Sequence, residues 1–345
     1  MNVLCDFHHA GLLNSLILLF ERRLGWKVYR PIGRQWFDEG YWKVYDHPAT
    51  VAQFLDVNGA TPDNTDPVND VITGESGVYI CHDISSLKTN RAITLDKFRE
   101  MNFGIIIASI PKHVEPFKKL CKEHWSRPKL IFQIGNQWVG EAEKADNIMC
   151  SSRIAIANKN SVVYHQEFDT NVFSRASSEV FEPNITSLVN CFSNDGMFKE
   201  DWELFQKVEK LMPEWNFKCM GGQCRDGQAH GEAEVAKTIA KAGFIWHTKK
   251  GGDGYGHIIH NASACGRPMI VKKEYYSGKL GEDLMIDGKT CVCIDGLNPL
   301  EIKNKIEYYS RQWKELCNNS YYNFKNKVDF DKEEKIIRHF LSKLI

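Results

Sequence analysis

Residues 251–268 read GGDGYGHIIHNASACGRP. The run follows an apolar stretch, Gly243–His247, that predicts a buried strand, and the polar link Thr248-Lys249-Lys250. It sets Gly251, Gly252, Gly254 and Gly256 ahead of a helix expected over Gly256–Cys265. A helix N-terminus presents unpaired N–H groups and a partial positive charge, and glycine lets a phosphate or hydroxyl approach the backbone closely. The segment therefore reads as an anion- and polyol-binding edge. The competing reading is a plain connector between strand and helix.

Outward from this turn the chain alternates strands and helices. Ahead of it, Asn2–Phe7 predicts a strand, and Leu12, Leu13, Leu16, Ile17 and Phe20 recur at helical spacing until Gly25 stops the helix. Further strands are expected at Trp26–Arg30, Gly77–Cys81, Gly104–Ser109, Lys129–Ile134 and Asn147–Cys150, with helices at His113–His124 and near Glu141–Asp146. A second series carries strands at Ser187–Phe192, Asn216–Met220, Gly243–His247, Pro268–Val271 and Thr290–Ile294. Its helices are expected at Lys199–Leu211, Glu232–Ala242, Gly256–Cys265 and Pro299–Cys317. Such alternation predicts parallel sheets covered on both faces, hence an α/β protein of two Rossmann-like domains.

The length of 345 residues suits two domains at roughly 100–200 residues each. The boundary is expected within 155–175: 1–160 and 161–330 form the two domains, and a final helix at 331–345 is free to return to the first. Between Gly33 and Ser76 the alternation gives way to a polar, aromatic-rich insertion that reads as loop; its Trp36, Tyr41 and Trp42 either stack on a sugar or base or anchor the insertion.

Composition narrows the function classes. Lys and Arg number 44, as do Asp and Glu, so no whole-molecule field draws nucleic acid or an anionic membrane. Eleven cysteines fall singly, without metal-ligand spacing, as expected of free thiols in a reducing compartment. Structural zinc normally needs four ligands, and no such set is visible. The apolar run Gly11–Phe20 is shorter than the ~20 residues of a membrane span, so a cytoplasmic protein without a transmembrane segment is expected.

Asp253-Gly254-Tyr255-Gly256, then Asn261-Ala262, then Ala264-Cys265-Gly266-Arg267-Pro268-Met269, resembles the donor motif of the GT-B glycosyltransferases, above all the retaining family 4 group. That motif reads EGFG, four residues, EA, then ACGxPV, and the spacing here is kept without a gap. Both family glutamates are changed, to Asp253 and Asn261, side chains that still accept hydrogen bonds. Other stretches resemble the family in order. Val78–Asp83 is similar to its strand ending in a histidine turn, Ala145–Ser152 to its ADxVIAVS strand, Tyr164–Phe173 to its connection into the second domain, and Gly281–Val292 to its VxDGxTG end.

The resemblance implies the GT-B architecture, with a donor/acceptor cleft between the domains, and transfer of a sugar from a UDP-, GDP- or ADP-linked donor to a hydroxyl acceptor. It implies retention of configuration and no required cofactor or metal, since fixed positive charge and helix N-termini can hold a diphosphate. The acceptor is left open among a glycan, a lipid, a protein and a hydroxymethylated DNA base. The family's diphosphate-binding Arg has no counterpart at Cys191–Asp195; Lys199 stands as a counterpart of its Lys, with Lys249 and Lys250 placed to take over the missing charge.

On the acceptor side, His8 and His9 follow the first strand, where ligands of α/β sheets bind, and His82 with Asp83 holds the equivalent edge of another strand. Each is a candidate catalytic group, as is Asp253. Candidate donor-binding residues are Lys199, His247, Lys249, Lys250, Gly254, Tyr255, Gly256, His257 and Asn261, whereas His260 is expected to face elsewhere. Asp329-Phe330-Asp331 mimics an Asp-x-Asp metal motif but reads as a solvated helix start. Two alternatives stand beside glycosyl transfer: a nucleotide-sugar-binding protein without turnover, and a sugar-nucleotide epimerase of the same fold.

Overall fold

The computed structural model describes residues 1–6, 10–31, 65–66, 71–74, 77–80, 92–93, 95–109, 111–134, 145–150, 152–153, 160–177, 180–193, 196 and 198–345. His8, His9, His82, Asp83, Trp36, Tyr41 and Trp42 lie outside them. The chain divides into two compact units, Met1–Phe168 with Asp331–Ile345, and Asp169–Phe330.

Unit 1 is built on strands β1 (Asn2–Cys5), β2 (Lys27–Pro31), β6 (Ala92–Ile93), β7 (Ile105–Ala108), β8 (Lys129–Gln133), β9 (Asn147–Cys150) and β10 (Asn160–Val163). Their order is β10-β9-β8-β7-β1-β2-β6, and every pairing is parallel. Alternate residues of a strand point to opposite faces, so each face gathers its own core. Val3, Cys5, Ile105 and Ile107 pack with Leu12, Leu13 and Leu16 of α1 (Ala10–Ile17). Leu4, Ile106, Ala108 and Phe132 pack with Phe98 of α2 (Leu95–Glu100) and with Val114 and Phe117 of α3 (Val114–Glu123).

The α1 face is completed from the far end of the chain. Helix α9 (Phe330–Ser342) lays Ile337, Phe340 and Leu341 onto it. Spacings of three and four residues put these side chains on one stripe. Arg23 fixes the start of α9 by donating to Asp331 at 2.7 Å and Glu334 at 3.2 Å, while its Nε and Nη2 hold Glu167. The Asp331 of the mimicked metal motif is thus an exposed helix-start carboxylate on an arginine.

Two expectations are corrected in unit 1. Gly77–Ile80 (β5) does not join the parallel sheet; it pairs antiparallel with β4 (Val71–Gly74), which pairs with β3 (Thr65–Asp66). The likeness of Val78–Asp83 to a strand of the main sheet therefore fails, and the end of the 33–76 insertion holds two strands instead of being loop throughout. The reason is local: VITG and GVYI are two β-prone runs with Gly74 opposite Gly77, a hairpin pattern. The strands beside β1 in the main sheet are Lys27–Pro31 and Ile105–Ala108. β10 also pairs with β9, so the first sheet extends past residue 160, and the units change between Phe168 and Asp169.

Unit 2 holds β11 (Asn184–Ser187), β12 (Asn216–Cys219), β13 (Phe244–His247), β14 (Met269–Val271) and β15 (Cys291–Cys293) in the order β12-β11-β13-β14-β15, again all parallel. Helices α4 (Lys199–Leu211), α5 (Gly231–Lys241), α6 (His257–Ala264), α7 (Pro299–Ser310) and α8 (Trp313–Lys327) accompany them. One core joins Ile185, Phe205, Trp246, Ile270, Val292, Ile302, Trp313 and Leu316. The helix expected over Pro299–Cys317 is two: Asn298 caps α7 and accepts from Leu300 and Glu301, and the chain breaks at Arg311-Gln312 so that Trp313 can turn its indole N–H to the Gly243 carbonyl at 2.6 Å. The strand expected at Ser187–Phe192 lies earlier, at Asn184–Ser187.

Among the described residues no helix is long and apolar enough to cross a membrane, no group of three His, Cys, Asp or Glu is arranged to hold a metal ion, and the cysteines are free.

Candidate functional site

In unit 2 the chain goes from β11 to β12 on one side and to β13 on the other, so the crevice at the carboxyl ends of β11 and β13 is a topological switch point, where α/β sheets bind ligands. β13 ends there in His247, and residues 248–256 lead into α6. Gly256 caps the helix with φ +77°, and a Cβ on it would stand 2.8 Å from Ile259 Cδ1. Glycine is therefore favoured by the left-handed turn, and a larger residue would also have to displace the tip of Ile259.

Asp253 is the centre of the turn. Lys249 Nζ donates to its Oδ1 and His247 Nε2 lies 2.9 Å from its Oδ2. Burial works against ionisation of this carboxyl, but the His247 hydrogen bond and the nearby charges of His247 and Lys249 prevail and hold it well below the usual carboxylate range. The carboxylate keeps 20% exposure, whereas the His247 side chain keeps 2%. Among the described residues, the buried Nδ1 of His247 has no hydrogen-bond partner. Its ring lies 6.1 Å from that of Tyr276.

A second carboxylate, Asp201 near the start of α4, is fully buried and accepts from the backbone N–H of Lys250 at 2.9 Å and from Lys272 Nζ at 2.7 Å. Tyr275 donates to Lys272's partner as well, Oη to Asp201 Oδ1 at 3.3 Å. Burial draws Lys272 toward neutrality, but the hydrogen bonds to Asp201 and Tyr275 outweigh it and raise its pKa. Asp201 thus ties the strand-to-turn link to α4 and to the segment after β14. Lys279 is buried in the same wall, with Nζ on the carbonyls of Gly251 at 2.6 Å and Tyr275 at 2.8 Å.

The residues singled out from the sequence separate into two groups. His247, Lys249 and Asp253 form one hydrogen-bonded set. Tyr255 is 3% exposed, its ring stacked on His260 at 3.8 Å and edge-on to His257 at 5.0 Å. Asn261, in the second turn of α6, is 6% exposed and its Oδ1 has no hydrogen-bond partner among the described residues. Lys250 instead turns outward to Glu200 at 3.0 Å, and Lys199 is exposed on the first residue of α4. His260 does not face elsewhere: it is buried beneath the turn with Nδ1 2.9 Å from the Gly256 carbonyl, because position i+4 of a helix returns under the cap.

Sequence reasoning missed Asp201, Lys272 and Lys279. Asp201 carried one faint signal, an acidic residue in a helix's first turn, while the two lysines looked like ordinary surface charges.

No family model and no curated protein matches the chain by sequence. Solved structures do match over its whole length. HepE of Anabaena, in complex with UDP and glucose, superposes with a TM-score of 0.59 at 13% identity, covering 99% of both chains. The pneumococcal O-GlcNAc transferase GtfA, in complex with UDP and GlcNAc, gives 0.60 at 11% identity, covering 100% of this chain and 99% of the other. An alpha-glucosyltransferase in complex with UDP and a 13-mer DNA gives 0.58 at 11% identity, covering 99% of both. The chain thus has the GT-B fold of two Rossmann-like domains.

Proposed function

We propose that this chain transfers a sugar from a nucleotide-diphosphate sugar to a hydroxyl acceptor, without a metal ion and with retention of anomeric configuration. The observation that carries the reading is Asp253, a carboxylate kept ionised by Lys249 and His247 in a glycine turn at the switch point of the second sheet. Solved structures sharing the fold hold UDP, which supports a UDP-linked donor ahead of GDP- or ADP-linked ones.

In the reaction the bond from sugar C1 to the diphosphate oxygen breaks and its electron pair leaves with the diphosphate. The acceptor oxygen bonds to C1 and gives up its proton to the departing diphosphate oxygen. Lys249 and the N-terminus of α6 supply positive charge toward the leaving group, the task a metal would otherwise perform. Asp253 accepts from sugar hydroxyls beside its two protein partners, using its exposed lone pairs. Asn261 offers its unpaired Oδ1 to a ribose hydroxyl, which would satisfy a buried acceptor that now costs ~1–3 kcal/mol. Gly254 and Gly256 keep the turn open, Tyr255 and His257 wall it, and Lys199 and Lys250 add outer charge. His8, His9 and His82 are proposed for the acceptor side. The acceptor is a hydroxyl of a glycan, lipid, protein or hydroxymethylated DNA base.

A second reading, nucleotide-sugar binding without turnover, is favoured by the engagement of both Asp253 oxygens within the chain. One assay separates the two. Each candidate sugar nucleotide is incubated with the chain and release of nucleoside diphosphate is measured. Turnover is expected, with a loss of about tenfold or more in Lys249→Ala. Binding detected by thermal shift with no release from any donor would sink the transferase reading, and an epimerised donor would replace it.

A further inference from the structure

Three lysines at this edge of unit 2 are paired with carboxylates: Lys249 with Asp253, Lys250 with Glu200 and Lys272 with Asp201. Lys279 is a lysine of another kind, 1% exposed and, among the described residues, without an ion-pair partner. Its Nζ rests on two carbonyls, Gly251 and Tyr275, and lies 5.3 Å from the centroid of the Tyr276 ring. Carbonyl dipoles and an aromatic face stabilise an ammonium without cancelling its charge. Two of its three N–H donors are engaged in these bonds.

Two further observations bear on this group. Gly252 has φ +63°, and a Cβ there would stand 2.5 Å from Lys279 Nζ and 2.3 Å from the Tyr275 oxygen. The missing side chain at 252 is what lets the ammonium reach the Gly251 carbonyl under the turn. Burial pushes Lys279 down to about 8, with Asp253 favouring its charge and Lys249 opposing it. A cation in this condition gains more from an added anion than one already paired with a carboxylate.

We propose that Lys279 is a further donor-binding residue, whose charge is completed by a diphosphate oxygen of the nucleotide sugar lying against the glycine turn. The proposal rests on the nucleotide-sugar reading above. Anion binding favours the charged form, so the fraction of Lys279 that is neutral at pH 8.5 takes up a proton when the diphosphate arrives.

The test is titration calorimetry of the full chain with UDP, GDP and ADP, comparing wild type, Lys279→Met and Lys279→Arg in buffers of different ionisation enthalpy at pH 7.0 and 8.5. Lys279→Met is expected to weaken the preferred nucleoside diphosphate by about 10–100-fold, with Lys279→Arg much closer to wild type. Wild-type binding at pH 8.5 is expected to take up protons, and binding to Lys279→Arg to take up fewer, because arginine stays charged. Affinity kept within threefold in Lys279→Met would overturn the assignment and leave the functional reading standing. Weakened affinity with equal proton uptake in wild type and Lys279→Arg would also overturn it, reducing Lys279 to a clamp on the turn. That uptake comparison decides the matter even where Lys279→Met does not fold. A wild-type chain that binds none of the three nucleotides would remove the functional reading and this inference together.

Discussion

Each unit carries an aspartate and a histidine joined at the carboxyl edge of its sheet, and the two pairs are put to different use. In unit 1, Asp6 follows β1 and meets His113 Nδ1 at 2.5 Å, with side-chain exposures of 1% and 4%. Its other oxygen accepts from the backbone N–H and hydroxyl of Ser109, which follows β7. In unit 2, Asp253 meets His247 at 2.9 Å and keeps 20% exposure with a lysine on its second oxygen. Among the described residues, the first pair's hydrogen bonds join neighbouring strand ends and the start of α3. The second leaves a carboxylate edge to solvent and a cation beside it. Pairing alone therefore does not mark a site; residual exposure and an adjacent charge do.

That contrast can be broken by mutation. The largest effect is expected from Asp6→Ala, which removes the acceptor of the two Ser109 donors and the buried partner of His113 Nδ1. A loss of about 3–5 kcal/mol is expected in urea unfolding, with little change in nucleotide affinity for the chain that remains folded. Nucleotide affinity falling while stability holds would reverse the assignment of the two pairs.

Asp253→Asn should act on both readouts. Donor hydrolysis is expected to fall about 10–100-fold, and the unfolding midpoint in urea at pH 7 to fall as well, because the ionised carboxylate's bonds to Lys249 and His247 are weakened. The pH dependence carries the sign. The folded state holds Asp253 below its unfolded value of about 3.9, so its contribution to stability is present above that pH and is lost as pH falls toward the folded value. Melting curves between pH 5 and pH 2 should accordingly fall less steeply in Asp253→Asn than in wild type. Parallel curves would mean that Lys249 and His247 do not lower this carboxyl.

The smallest effect is expected from Lys250→Ala. Its side chain is 61% exposed on a still more exposed Glu200, so donor affinity should change less than about twofold. A tenfold loss would return Lys250 to the site beside Lys249.

Local pattern made much of this legible. The strand ending at His247, the glycine turn and α6 follow from neighbouring residues, and so does the contact between Lys249 and Asp253 four residues on. The helix α4 was readable end to end from its periodicity. What escaped depends on residues far apart in the chain. Asp201 meets Lys272, and Lys279 meets Gly251, only because β13 and β14 are neighbours in the sheet. Asp6 and His113 meet only because β1 pairs with β7. The hairpin at 71–80 escaped for another reason: β-prone runs without alternating helices look alike whether they enter a parallel sheet or fold back on each other.

Helix α9 has a consequence for how the chain is made. The stripe of Ile337, Phe340 and Leu341 is made after the whole of unit 2, yet it belongs to the core begun by Val3 and Leu12. Unit 2 can therefore finish folding while unit 1 still lacks one wall. Unit 1 waits, with an apolar sheet face uncovered, until α9 has been made. A chain stopped within α9 would thus injure the unit translated earlier, and the Arg23 contacts to Asp331 and Glu334 form only once that helix has left the ribosome.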